Sequence, residues 1–369
     1  MKSLLRLLLK SQHQRNRSGP AQTDKGMTLV ELLVGSIMAF LIITPMLAFV
    51  VDMLNTDRRE QVKSNTEQDI QAAVDFIAQD LSQAIYIYDN RALIGPPGPN
   101  EQEVRPQLPP NPNGTPILVF WKRQQLKNAL PINPTVAINV KPINCKPSEC
   151  NDTYVLSLVA YYQIRDNDPT WCQPTGGNCP TRIVRYEIRD GIDRVIDPSE
   201  RGGVTPYGPA NTTRAQQTDP AFNTSTDSTP ATSFNLNNPT VNVTNPTKFN
   251  EPNSGGSNPQ VLVNYIDHST QNVPVPTGAE CRDILGFVPP AVRPTGTPPF
   301  DPEHLLITDR SNSTHSFYAC VDTSKNIARV TIRGNSLRRI QTDANYNAEK
   351  SAYFPTASVQ VQGLGARGR

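Results

Sequence analysis

The chain has 369 residues, 35 of them proline, and only 37% are hydrophobic, so much of its length is not core material. Its formal charge is +2, but the first 26 residues hold six cations against one anion, and without them the charge falls to −3. That balance argues against a strongly basic nucleic-acid binder.

Residues 1–26 read as a basic, polar leader that carries Lys2, Arg6, Lys10, Arg15, Arg17 and Lys25 and ends in Gly26. Met27-Thr28-Leu29-Val30-Glu31 follows, and then 20 residues, Leu32 to Val51, pass without a charge. As a helix they span about 30 Å, the thickness of a bilayer core. Downstream, Asp57-Arg58-Arg59-Glu60 is balanced. The positive-inside rule therefore puts the leader in the cytoplasm and the bulk of the chain outside. A secretory signal peptide would end in a small-x-small cleavage site after its apolar core. Here Gly26 precedes the apolar run, and cleavage after it would keep the helix. Glu31 is the discriminating residue, because a carboxylate in lipid costs about 3 kcal/mol and is there for a partner.

The stretch Lys25-Gly26-Met27-Thr28-Leu29-Val30-Glu31-Leu32-Leu33 resembles the N-terminus of type IV pilins and pseudopilins. The resemblance implies processing by a prepilin peptidase between Gly26 and Met27, and N-methylation of Met27. It implies that Glu31 guides assembly by pairing with the terminal amine of a neighbouring subunit. Pilins most often have Phe where this chain has Met27, also large and apolar.

After the membrane segment, 27–51, residues 52–90 read as an amphipathic continuation of the same helix. Ile70, Val74, Ile77, Leu81, Ile85 and Tyr88 recur at steps of three and four, one apolar stripe. Asp69, Gln71, Asp75, Gln79 and Asp80 lie mainly on other faces. The spacing predicts one helix from Met27 to Tyr88, about 90 Å long. Pro45 can kink or locally open its membrane half.

Beyond Asn90 the period changes. Arg91 to Thr115 reads as a Pro/Gly/Asn-rich loop. Ile117–Trp121, Tyr154–Ile164, Ile183–Ile188, Val261–Ile266, Ser316–Val321 and Ile327–Ile332 are rich in β-branched and aromatic residues, which predicts strands of a mostly antiparallel sheet. Residues 91–196 and 260–369 thus form the two parts of an exported β-rich domain. Between them 197–259 is a low-complexity insertion, too poor in apolar residues to offset its ordering entropy. The fold class is α+β, a long N-terminal helix packed on an antiparallel sheet domain with long Pro/Asn/Thr-rich insertions.

All six cysteines lie in the exported part, where an even count reads as disulfides. Sequence proximity favours Cys145–Cys150 and Cys172–Cys179, which leaves Cys281 with Cys320. A zinc site using Cys281 and Cys320 with His304 or His315 is the rival.

The run Asp69-Ile70-Gln71-Ala72-Ala73-Val74-Asp75-Phe76-Ile77-Ala78-Gln79-Asp80-Leu81 and the pair Leu158–Ile164 with Arg182–Ile188 resemble the minor subunits of the PilW/GspJ class, from pili and type II secretion. Ile42-Ile43-Thr44-Pro45-Met46, Thr56–Gln61, Leu118–Arg123 and Tyr186–Gly191 are similar to the cyanobacterial pseudopilin family HpsC, associated with hormogonium polysaccharide secretion. The implied partners are the prepilin peptidase, other pilin-like subunits, the inner-membrane assembly platform and membrane lipid, with no nucleic acid. The implied location is the inner membrane, crossed once with the N-terminus cytoplasmic and the C-terminal domain periplasmic, and then a pilus or pseudopilus.

No catalytic motif is present: no G-x-S-x-G, P-loop or H-E-x-x-H. Asp301 and His304 lack an accompanying nucleophile. Asp166-Asn167-Asp168 and Asp190-Gly191-Ile192-Asp193 are oxygen-rich turns without the distal Glu of a calcium loop. Trp121, Tyr161 and Tyr162 fall in predicted strands and read as core, so Trp171 is the aromatic candidate for sugar contact. The expectation is a non-enzymatic minor pseudopilin without metal or cofactor, at or near a filament tip, supporting polysaccharide secretion and gliding motility. A tip adhesin, a DNA-uptake pilin and a bitopic envelope enzyme are the other readings.

Overall fold

The computed structural model describes residues 28–93, 104–105, 108–109, 111, 113–132, 147–148, 150–189, 194–195, 207–208, 259–287, 300–309 and 313–364. The leader, Gly26 and Met27, Cys145, the turn 190–193 and nearly all of the insertion 197–259 lie outside them. The chain divides into two units, Met1–Arg58 and Arg59–Arg369.

Helix α1, Leu29–Ser82, contains Pro45 without interruption. In the first unit its described residues are all exposed. This part is long and apolar enough to cross a membrane, which fits a single membrane pass. In the second unit Ile70, Ala73, Val74, Ile77 and Leu81 are buried, the stripe that the spacing predicts.

The helix ends at Ser82, not near Tyr88. Strand β1, Ala84–Ile87, follows at once and pairs antiparallel with β2, Gly114–Pro131. Ile85 and Tyr88 fit the helical stripe, but a run of β-branched and aromatic residues beside an open strand edge favours extended backbone. The expected loop after Asn90 begins with a short helix, α2, Asn90–Leu93.

The larger antiparallel sheet has the order β1-β2-β3-β4-β7, with β3 at Cys150–Ile164, β4 at Thr181–Arg189 and β7 at Gln260–Ile266. The two-residue strands β5, Arg194–Val195, and β6, Tyr207–Gly208, form a separate ribbon. After helix α3, Gly278–Leu285, the second antiparallel sheet has the order β11-β10-β9-β8. Its strands are β8, Leu306–Thr308; β9, Phe317–Asp322; β10, Ile327–Arg333; and β11, Thr356–Gln362. All six predicted strands are present, and β1, β5, β6, β8 and β11 are additions.

One core joins the helix to both sheets. It contains Ile70 and Ile77 of α1, Phe120, Val159 and Ile183 of the larger sheet, and Phe317, Ala319, Val330 and Ile332 of the smaller. A backbone bridge between Ile266 and Gly334 links the sheets. Gln163 Nε2 also donates to Thr314 Oγ1 at 2.7 Å and to Ser316 Oγ at 2.9 Å.

Candidate functional site

At the start of α1, the Glu31 amide donates to Thr28 Oγ1 and the Thr28 amide donates to Glu31 Oε2, both at 3.3 Å. This is a reciprocal capping box, which satisfies two amides that the helix start would otherwise leave open. Glu31 thus has a local partner before any neighbouring subunit is considered. The Thr-x-x-Glu spacing is the sequence signal for it.

The second polar site joins α1 to the larger sheet. Asp80, expected on an outer face, is buried beneath the helix, with a side chain 9% exposed. Its Oδ1 accepts from Lys122 Nζ of β2 at 2.9 Å. Its Oδ2 accepts from Tyr161 Oη of β3 and Arg185 Nε of β4, each at 2.7 Å. Glu187 closes the set, 3.3 Å from Lys122 Nζ and 2.7 Å from Arg185 Nη2. The two acids and two bases balance. Burial pushes the Asp80 carboxyl up, but Arg185, Lys122 and Tyr161 outweigh it and hold it below the ordinary carboxylate range. Burial and the adjacent Asp80 push the Tyr161 hydroxyl well above its usual range, so it stays a donor. One carboxylate on the helix therefore ties down three neighbouring strands.

At the near end of the packed segment, Arg339 donates to Thr66 Oγ1 at 2.9 Å and pairs with Asp69. Gly334 lies under Thr66, and an added Cβ would meet the Thr66 methyl at 2.7 Å. The helix is thus held by polar contacts at both ends of an apolar stripe.

Cys172 is bonded to Cys179, with 5.0 Å between Cα atoms, and Cys281 to Cys320, with 5.2 Å. Cys150 is also disulfide-bonded, while its expected partner Cys145 is outside the described residues. The zinc alternative fails because the Cys281 and Cys320 sulfurs are bonded to each other. The Cys172–Cys179 loop is further held by fully buried Arg338, which donates to the carbonyls of Asn178, Pro174 and Gly176 at 2.8, 3.0 and 3.1 Å. Sequence reasoning missed this arginine, and nothing local marks it.

The remaining candidates within the described residues have contacts inside the fold. Trp121, Tyr161 and Tyr162 are buried, and Trp121 Nε1 donates to Tyr88 Oη at 3.0 Å. Trp171 is half-buried with the Arg182 guanidinium over its ring, 5.8 Å from the centroid. Asp166 is a two-pronged partner of Arg182, at 2.5 and 2.6 Å, and that pairing lowers its carboxyl pKa. Asp301 caps a short 3₁₀ turn, Pro302–Leu305, that includes His304. Among the described residues no cluster of three or more His, Cys, Asp or Glu could hold a metal ion.

No family model matches the chain, and no curated protein or solved structure matches it.

Proposed function

We propose that this chain is a minor pseudopilin-like subunit: stored as a single-pass membrane protein, cleaved after Gly26, and drawn into a filament at or near its tip. Its work is assembly and force transmission, without catalysis. The observation that carries this reading is α1, whose exposed apolar part follows a basic leader and whose later part buries one stripe on antiparallel sheets. A membrane anchor alone has no use for a second, amphipathic segment fixed to the exported domain. In this proposal the new amine of Met27 is methylated and pairs with Glu31 of an adjacent subunit. The leader's charge favours a cytoplasmic N-terminus and a periplasmic domain. The partners are the prepilin peptidase, other pilin-like subunits and the assembly platform, and the process served is polysaccharide secretion with gliding motility.

The experiment is the mass of the native N-terminus. The expected result is a chain that begins at Met27, with full-length precursor accumulating in Gly26→Val. A native N-terminus elsewhere refutes the proposal.

A further inference from the structure

The smaller sheet has two faces with different tasks. Phe317, Ala319 and Val321 of β9 and Ala328, Val330 and Ile332 of β10 enter the main core. Alternation turns Tyr318, Thr331 and Arg333 to the other side. There they line a cleft of about 640 Å3, within the roughly 300–1,000 Å3 range of small-ligand sites. Helix α3 adds Glu280 and Asp283, and the segment between β10 and β11 adds Tyr346.

The fold fixes these groups in advance. Cys281, between the two acids, is bonded to Cys320, two residues from Tyr318. Helix α3 has a capping box at Thr277 and ends at Gly286, whose left-handed backbone (φ 58°) suits glycine. The Tyr346 ring is backed edge-on by buried Phe354, centroids 5.1 Å apart.

We propose that this cleft binds a short segment of a neutral or amino-sugar oligosaccharide. The apolar C–H face of a sugar ring matches an aromatic face, and its hydroxyls are donors for carboxylates and partners for a threonine hydroxyl. The buried Arg333 guanidinium, which donates to Asp267 and the Thr314 carbonyl, lies over the Tyr346 ring, 5.3 Å from its centroid, and orients it. An anionic ligand fits poorly, because Arg333 is the one Arg or Lys lining the cleft among the described residues, and Asp267 holds it at 2.9 Å. A proline-rich peptide would also stack on tyrosine. Thr277 already donates to Glu280 Oε2 and Arg282 to Asp283 Oδ1, each at 3.0 Å. Prolines carry no N–H, so such a peptide would cover the other oxygen of each acid without giving it a donor, at a desolvation cost. The inference bears on the polysaccharide part of the proposed function but rests on the cleft alone. Its failure leaves leader processing and filament assembly untouched.

The test uses the full chain in a detergent without a sugar headgroup, titrated calorimetrically with maltopentaose, cellopentaose and chitopentaose. At least one should bind. Tyr346→Ala should weaken that binding about tenfold and Tyr346→Phe should leave it within about threefold, because stacking rather than the hydroxyl carries the contact. Asp283 is exposed, so Asp283→Asn should weaken binding without altering thermal unfolding, and it decides the matter if Tyr346→Ala does not fold. The proposal is overturned if none of the three sugars binds at about 10 mM. It is equally overturned if folded Tyr346→Ala and Asp283→Asn both bind as the parent does, or if a polyproline decapeptide binds where the sugars do not.

Discussion

Replacing Asp80 with alanine tests whether the ion cluster fastens the helix to the sheet. The change leaves Lys122 and Arg185 buried with Glu187 as their remaining acid, and takes an acceptor from Tyr161. Breaking a buried pair from one side costs about 3–5 kcal/mol. Two charge-assisted bonds at about 1.5–3 kcal/mol each give about 3–6 kcal/mol, an overlapping range. At about 2 °C per kcal/mol for a domain of this size, Tm should fall by about 6–10 °C. The assay is thermal unfolding followed by circular dichroism on the detergent-solubilised chain. Replacing the set together, Asp80→Leu with Lys122→Met, Arg185→Met and Glu187→Gln, should recover most of the loss, since well-packed apolar groups can match a buried pair. The carboxyl is held below its ordinary value near 3.8. Its stabilisation is therefore present above that value and disappears as pH falls through the lower, folded-state pKa. A Tm for Asp80→Ala within about 2 °C of the parent, or a loss that appears only above pH 5, refutes the argument.

Glu31→Gln and Glu31→Leu should separate capping from charge. Glutamine keeps the box with Thr28 but loses the carboxylate; if pairing with a terminal amine is the function, crosslinking to other pilin-like subunits falls equally in both. Crosslinking retained in the Gln variant would leave Glu31 as a cap. Cys320→Ser should destabilise the exported domain more than Cys172→Ser. The sequence separations of 39 and 7 residues put the difference at about 1.5 kcal/mol by the logarithmic loop rule, readable in denaturant unfolding. Equal losses would refute it.

Six strands were legible because their β-branched and aromatic runs are bounded by turn residues. The end of α1 was not, since Ile85 and Tyr88 continue the helical period while their neighbours pair with β2. Strand β11 has three apolar residues, Ala357, Val359 and Val361, whose half-buried alternation is a weak signal. Asp80 was misplaced because an isolated acid on a polar helix reads as solvated. The missed clue lay in the strands: Arg185 interrupts an apolar run and Lys122 directly follows one, so two cations on buried strands needed more acid than Glu187 alone supplies. For the cysteines, proximity and elimination were enough for the two described bridges. The tyrosines of the cleft are far apart in sequence, and only the second sheet brings them together.

The grip on α1 has a consequence for sliding. Ile70, Val74, Ile77 and Leu81 repeat so regularly that a shift of one helical turn, about 5.4 Å, would offer the core similar side chains again. Such a stripe resists detachment far better than slippage. Asp80 among three strands and Thr66 with Asp69 at Arg339 act as two index marks. Displacement by a turn would strand buried charge at one mark and an arginine at the other. Buried polar groups are best attested as setters of register, and here they give an axial pull a single stop instead of a ladder of near-equivalent ones.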